Sequence, residues 1–210
     1  MTERLATDLA QALAARVRRV LSRPDKRVAA VLVPLLAVDD EPSLLYTRRS
    51  SQLPHHQGQV AFPGGTHRAD ADADLTATAL REAQEEIGLD PADVRVLGVL
   101  DDIETVGSGF VITPVVGLAP HPYPWRPCPD EVDAIFTVAV RRLQTPGAAR
   151  QETWDFGGHP VPIDTFPVDG HVIWGATRRT RAASAWARSE ARRSVMTSFL
   201  ASRAGRGKLL

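Results

Sequence analysis

Nine residues, REAQEEIGL from Arg81 to Leu89, restrict the fold of this chain more than any other stretch. Glu82, Glu85 and Glu86 are spaced by three and four, so on a helix Glu82 shares a face with both others. Leu75, Ala79, Leu80, Ala83 and Ile87 recur at helical intervals and supply an apolar stripe for the opposite face. Asp72 or Asp74 is placed to cap the N-terminus, and Gly88 stands where a left-handed C-terminal cap belongs. The helix is well specified, but its charge is not balanced. Arg81 can pair with Glu85, whereas no cation follows in the next turn, where Ile87, Gly88, Leu89 and Asp90 stand. Crowded carboxylates cost stability unless something positive sits among them: a surface lysine, a partner protein or a metal ion. Hard oxygen donors clustered in this way suit Mg²⁺ or Mn²⁺.

The stretch GQVAFPGG, Gly58 to Gly65, adds a second constraint. Val60, Ala61 and Phe62 read as strand and run into the turn Pro63-Gly64-Gly65. Glycine there lets the backbone approach a ligand or metal closely, so a carbonyl of the turn can complete a coordination sphere begun by the glutamates. Fifteen residues separate this turn from Arg81.

The remaining pattern places these motifs in a mixed fold. Leu5, Leu9, Leu13, Val17, Val20 and Leu21 predict an amphipathic helix over 3–21. RVAAVLVPLLAV (27–38) reads as a buried strand, in which Pro34 suggests a bulge or an edge. A second strand covers 44–49, and a functional loop fills 50–66. Strands are expected at 94–101, 110–118 and 131–140, a helix from 174 to about 200, and a frayed tail at 201–210. Strands interrupted by helices in this order predict an α+β sandwich. The 210 residues are expected to form one domain, with a core over about 27–177.

Composition narrows the function classes. Net formal charge is zero, which gives no general attraction to nucleic acid or anionic membranes. Nine Arg or Lys against Glu190 alone, from Ala176 onward, read as a solvated helix face and tail. The longest apolar run, Val28–Val38, has eleven residues, short of the roughly 20 that span a bilayer. The single Cys128 excludes an internal disulfide framework and fits a reducing compartment, so a soluble cytoplasmic protein is expected. His55 and His56 are adjacent and lack further zinc-type ligands at suitable spacing. Trp125, Trp154 and Trp174 are expected to pack in the core.

Taken together, the Gly-Gly turn and REAQEEIGL resemble the signature of the Nudix hydrolases, whose second half reads Arg-Glu-aliphatic-x-Glu-Glu-x-Gly-aliphatic. The loop from Gly65 to Arg81 is two residues longer than the general signature and lacks its midway glutamate, offering Asp70, Asp72 and Asp74 instead. LLYTRRSSQLPHHQGQVAFPGG supplies Leu44, Leu45, Arg49, Ser50, Leu53, His56, Gly58 and Gln59. This resembles the upstream motif of the coenzyme A pyrophosphatase branch, as do ITPVVG, DEVDAIF and VIWGAT downstream.

The resemblance implies a mixed-sheet α/β/α sandwich with added N-terminal and C-terminal helices. It implies Glu82 and Glu86 as principal ligands of Mg²⁺ or Mn²⁺, Glu85 as a further ligand or base, the Gly64 carbonyl as a donor, and Arg81 as the group that orients the glutamates. Glu131 is a second candidate base. Arg49, Ser50, His56 and Gln59 are the expected substrate-binding residues, with Arg48 an alternative phosphate grip. The implied reaction is metal-dependent hydrolysis of coenzyme A or its thioesters to 4′-phosphopantetheine and adenosine 3′,5′-bisphosphate. A Nudix pyrophosphatase for another nucleoside diphosphate, such as ADP-ribose, and a non-catalytic Nudix-fold binding module are the alternatives. The expected partner is a small-molecule substrate, with neither membrane nor nucleic acid, and the terminal helices are natural surfaces for a homodimer.

Overall fold

The structure, a computed structural model, describes residues 2–53, 57–105, 109–155 and 160–174. In chain order the elements are α1 (Thr2–Ala14), β1 (Arg27–Val38), β2 (Glu41–Arg49), β3 (Val60–Ala61), β4 (Gly64–Thr66) and α2 (Leu75–Ile87). They continue as β5 (Arg95–Val99), β6 (Ile103–Glu104), β7 (Phe110–Leu118), β8 (Val132–Ala139), α3 (Val140–Gln144), β9 (Arg150–Asp155), β10 (Pro160–Val168) and β11 (His171–Ile173). Among the described residues no helix is long and apolar enough to cross a membrane.

The strands pair in the order β5-β7-β1-β2-β3-β11-β10-β9, with β4 on β1, β6 on β7 and β8 on β2. At the centre β1 runs parallel to β7, from Arg27 opposite Phe110 to Leu35 opposite Leu118. Successive strand side chains point to opposite faces, and β1 divides accordingly. Val33 and Leu35 pack with Leu9 and Leu13 of α1, whereas Ala30, Leu32 and Leu36 pack with Ala79, Ala83 and Ile87 of α2. The sheet is thus covered by a helix on each side, the expected α/β/α sandwich. Burial on both faces explains why β1 reads as an unbroken apolar run.

Three expectations are corrected. Pro34 marks neither an edge nor a bulge: it is fully buried, on a strand with neighbours on both sides. It falls where β1 exchanges one antiparallel neighbour, β4 at Ala29–Val31, for another, β2 at Leu35–Val38, so no ladder bond on that side needs its missing N–H. The first helix stops at Ala14 rather than 21. Residues beyond it are drawn across the sheet by carboxylates, with Arg19 N donating to Asp101 at 3.0 Å and Leu21 N to Asp102 at 2.8 Å. Val17 and Val20 are left 96% and 66% exposed. The segment 50–66 is not wholly loop, because it contains β3 and β4. Further along, β9, β10 and β11 lie in a region to which the sequence pattern assigned nothing. The helix expected over 174–200 lies outside the described residues except for Trp174, and the tail at 201–210 lies wholly outside them.

Candidate active site

The glutamate-bearing helix α2 is capped at both ends by its own sequence. Asp74 is the N-cap, its Oδ1 accepting from Ala77 N at 2.8 Å. At the C-terminus Gly88 adopts φ 71°, its N–H bonding Gln84 O at 3.0 Å while Leu89 N reaches Ala83 O at 3.4 Å. With Ala79, Ala83 and Ile87 fixed against the sheet, Glu82 and Glu86 are held at the helix margin, buried but ionisable, and Glu85 faces solvent.

The PGG turn lies directly against this helix because it has no side chains. A Cβ on Gly65 would come within 2.5 Å of the Glu82 carboxylate. A Cβ on Gly64 would come within 2.4 Å of the Ala30 carbonyl oxygen. The two glycines therefore do different things: Gly64 lets β4 pair with β1, and Gly65 lets Glu82 approach the backbone. The Gly64 backbone lies close enough to Glu86 to pull its carboxyl slightly down.

Arg81 organises one half of the site. Its Nε bonds Asp72 Oδ1 at 2.7 Å and its Nη2 bonds Asp72 Oδ2 at 3.0 Å, a bidentate fork. Its Nη1 reaches Glu82 Oε1 at 2.7 Å and Glu85 Oε2 at 3.0 Å. Asp72 also accepts from Arg68 N at 2.9 Å and from the Thr78 hydroxyl at 3.0 Å. The Arg81 hydrogen bond holds the Asp72 carboxyl well below the usual carboxylate range. Asp72 is therefore an anchor for Arg81 and not a helix cap. The sequence signal for it was the loop lacking its midway glutamate, where an aspartate nine residues before Arg81 was available.

Glu86 organises the other half. Its side chain is 4% exposed, and burial pushes its carboxyl up to about 8, against the pull of Arg49. Glu131 and Glu82 lie close enough to raise it further. Arg49 Nη1 stands 3.9 Å from Glu86 Oε1. Residues from three separate parts of the chain thus meet here: Arg49 at the end of β2, Gly64 and Gly65 on β4, and Glu131 just before β8.

The other expected site residues fall out differently. Ser50 is fully buried, and its Oγ accepts from Gln52 N at 3.3 Å, so it shapes the loop and presents no hydroxyl to solvent. Gln59 holds the end of β2, its carbonyl accepting from Arg49 N at 2.9 Å. It also lines a cleft of about 320 Å³ with Arg48, His171 and Trp174. His56 lies outside the described residues. Trp125 packs on Tyr123 and Trp154 on Trp174, with ring centroids 4.8 and 4.3 Å apart.

Among the described residues, no three Asp, Glu, His or Cys side chains already converge as a metal cage. Glu82 and Glu85 are turned to Arg81, and Glu86 toward Arg49. The donor set nonetheless fits a hard divalent cation. It consists of carboxylate oxygens, two of them buried; Arg81 pairs with Glu82, whereas Glu86, with Glu131 nearby, has only the loosely placed Arg49 beside it.

A family model for the NUDIX domain matches residues 26–156. The chain belongs to the Nudix family. Relatives include proteins described as uncharacterized Nudix hydrolase NudL. One from Salmonella newport is 50% identical over 155 residues, covering 73% of this chain and 78% of the relative. Another from Salmonella paratyphi B is 45% identical over the same shares. Among solved structures, the Nudix hydrolase RenU of M. smegmatis is 20% identical with a TM-score of 0.48, covering 57% of this chain and 74% of that one. An Ap4A hydrolase of C. elegans is 17% identical with a TM-score of 0.46, covering 56% and 82%. The helix with Glu82, Glu85 and Glu86 is the Nudix helix, and the chain is a Nudix hydrolase.

Proposed function

We propose that this Nudix hydrolase cleaves the diphosphate of coenzyme A or its thioesters, giving 4′-phosphopantetheine and adenosine 3′,5′-bisphosphate, as a soluble cytoplasmic enzyme. The observation that carries the reading is the contact between Arg49 and Glu86. The upstream motif resembling the coenzyme A branch and the Nudix helix meet there, which sets the guanidinium where a diphosphate held by the glutamates would lie.

Glu82 and Glu86, with Glu85 and the Gly64 carbonyl, would hold Mg²⁺ or Mn²⁺. Such an ion neutralises charge on the diphosphate and makes a bound water acidic enough for a modest base. Arg81, fixed by Asp72, sets the rotamers of Glu82 and Glu85. Arg49 presents a fork of N–H donors suited to phosphate oxygens. Of the two candidate bases, Glu85 is committed to Arg81 at 3.0 Å and Arg68 at 3.4 Å. Glu131 stands beside Glu86 and makes no ion pair among the described residues. It is the better placed to take the water's proton, and its main chain is pinned to both neighbouring segments.

The test is turnover of coenzyme A with Mg²⁺ or Mn²⁺, product masses recorded, beside ADP-ribose and a Glu86→Gln variant. Release of 4′-phosphopantetheine by the native chain, reduced at least a hundredfold in the variant, is expected. Cleavage of ADP-ribose in preference to coenzyme A would overturn the substrate assignment and leave the metal site standing.

A further inference from the structure

Beside Arg68, which reaches the exposed Glu85, two arginines face the buried glutamates of α2, and they are held in opposite ways. Arg81 is fixed by hydrogen bonds to Asp72, Glu82, Glu85 and the Thr66 carbonyl. Arg49 is loosely held. Its one ion pair among the described residues, to Glu86, spans 3.9 Å, beyond hydrogen-bond length. Its Nε is buried with no partner among the described residues, although the side chain as a whole remains 29% exposed. Its guanidinium therefore lacks the set of hydrogen bonds that fixes Arg81.

We infer that Arg49 is a resident counter-cation of Glu86, which competes with a divalent ion for that carboxylate and is drawn away when an anionic substrate takes its guanidinium. The inference rests on the Nudix reading above, in which Glu86 is a metal ligand. With Glu86 ionised, the exchange balances in charge, and any proton that its buried carboxyl carries leaves to solvent as the divalent ion binds. The divalent ion takes over Glu86, and the substrate's diphosphate takes over Arg49 with the bidentate geometry that Glu86 at 3.9 Å does not give it. Metal and substrate then bind with positive coupling, each strengthening the other by the same factor. Arg81 is held in place by its fork to Asp72 and is less free to leave the glutamates.

The experiment measures Mn²⁺ binding to the full chain, by the EPR signal of free Mn²⁺, with no phosphate present. It compares wild type with Arg49→Gln, Arg49→Met, Arg49→Lys and Arg68→Gln. Removing the competing charge should tighten Mn²⁺ binding about tenfold in Arg49→Gln and Arg49→Met, a size set by a close charge pair at a partly shielded site. Arg49→Lys keeps the charge and should stay near wild type. Arg68→Gln strips a cation from solvent-exposed Glu85 and should change affinity less than about twofold. In the same Arg49→Gln and Arg49→Met proteins KM for coenzyme A should rise, opposite in sense to metal affinity, a split that a merely structural arginine does not produce.

Unchanged or weaker Mn²⁺ binding in whichever of these two variants retains the wild-type melting temperature overturns the inference. Absence of Mn²⁺ binding in every protein, wild type included, removes the metal site and the inference with it. The expected pattern of Mn²⁺ affinities without turnover of coenzyme A leaves the counter-cation standing and removes only the substrate assignment.

Discussion

Gly64 and Gly65 are neighbours with the same side chain, or lack of one, and their substitutions separate fold from chemistry. An alanine at 64 drives its methyl into the Ala30 carbonyl and Val31 Cα, which are strand backbone and cannot yield. Gly64→Ala should cost about 2–3 kcal/mol, lowering Tm by roughly 5–10 °C for a chain of this size. The atoms nearest an alanine methyl at 65 are those of the Glu82 carboxylate, the far end of a side chain that can swing aside. Gly65→Ala should hold Tm within a few degrees yet lower kcat at least about tenfold, because Glu82 leaves its place. Calorimetry and turnover on the two proteins decide the point, and a Tm loss at Gly65 equal to that at Gly64 would contradict it. The identities of both glycines were readable in the sequence as a turn and a close approach. Which one serves the sheet and which the glutamate was not, since that depends on a contact with β1 some thirty residues away.

At the scale of the element, α2 shows how much local sequence can specify. Its left-handed Gly88 and the Arg81–Glu85 pair are short-range features that stand in the structure as the spacing implied, whereas the stripe does not lie opposite all three glutamates: Glu82 and Glu86 are buried beside Ala79, Ala83 and Ile87, and Glu85 is exposed. Asp74 and Asp72 were equivalent as caps by spacing alone. They differ because Asp72, 2% exposed, is recruited by Arg81 across nine residues, a tertiary interaction with no local signature. Its carboxyl is depressed in the folded state, so the unfolded chain binds that proton more readily. The stability it contributes is present above the ordinary aspartate range near pH 4 and is lost as pH falls below it. Asp72→Asn should cost about 3 kcal/mol at pH 7, with the gap to wild type beginning to narrow only as pH falls below about 4. Urea unfolding at several pH values measures this, and a gap independent of pH would refute the linkage. Arg49 and Ser50 illustrate the opposite limit. They are adjacent in sequence, yet one reaches Glu86 and the other is sealed inside, next to the irregular pairing of β2 with β8 at Arg48 and Arg49.

Across the whole molecule the sequence was most informative where burial is two-sided and least where it is marginal. The α/β/α layering could be read from the apolar runs of β1 and β7, whereas the ribbon of β9 and β10, with its charges and prolines, carries almost no alternating pattern. The early end of α1 was equally hidden, because Asp101 and Asp102 claim the backbone of residues 19–21 from some eighty residues away. A ligand that binds only the folded chain stabilises all of it. Mn²⁺ at about a hundred times its dissociation constant should therefore add roughly 2.7 kcal/mol and raise Tm by several degrees. Chelation with EDTA should reverse the rise, and Glu86→Gln should abolish it; an equal rise in that variant would place the ion elsewhere. One further feature concerns how the parts of the site are tied together. Cys128 N bonds the carbonyl of Glu86 at 2.9 Å, Glu131 N bonds the carbonyl of Cys128 at 3.0 Å, and Ser50 N bonds the carbonyl of Glu131 at 2.9 Å. This seam, from Nudix helix to upstream loop, is written in peptide groups that every residue except proline possesses. Side chains along it can therefore be exchanged without unfastening the site, which leaves such a scaffold free to change what it recognises while keeping where its glutamates stand.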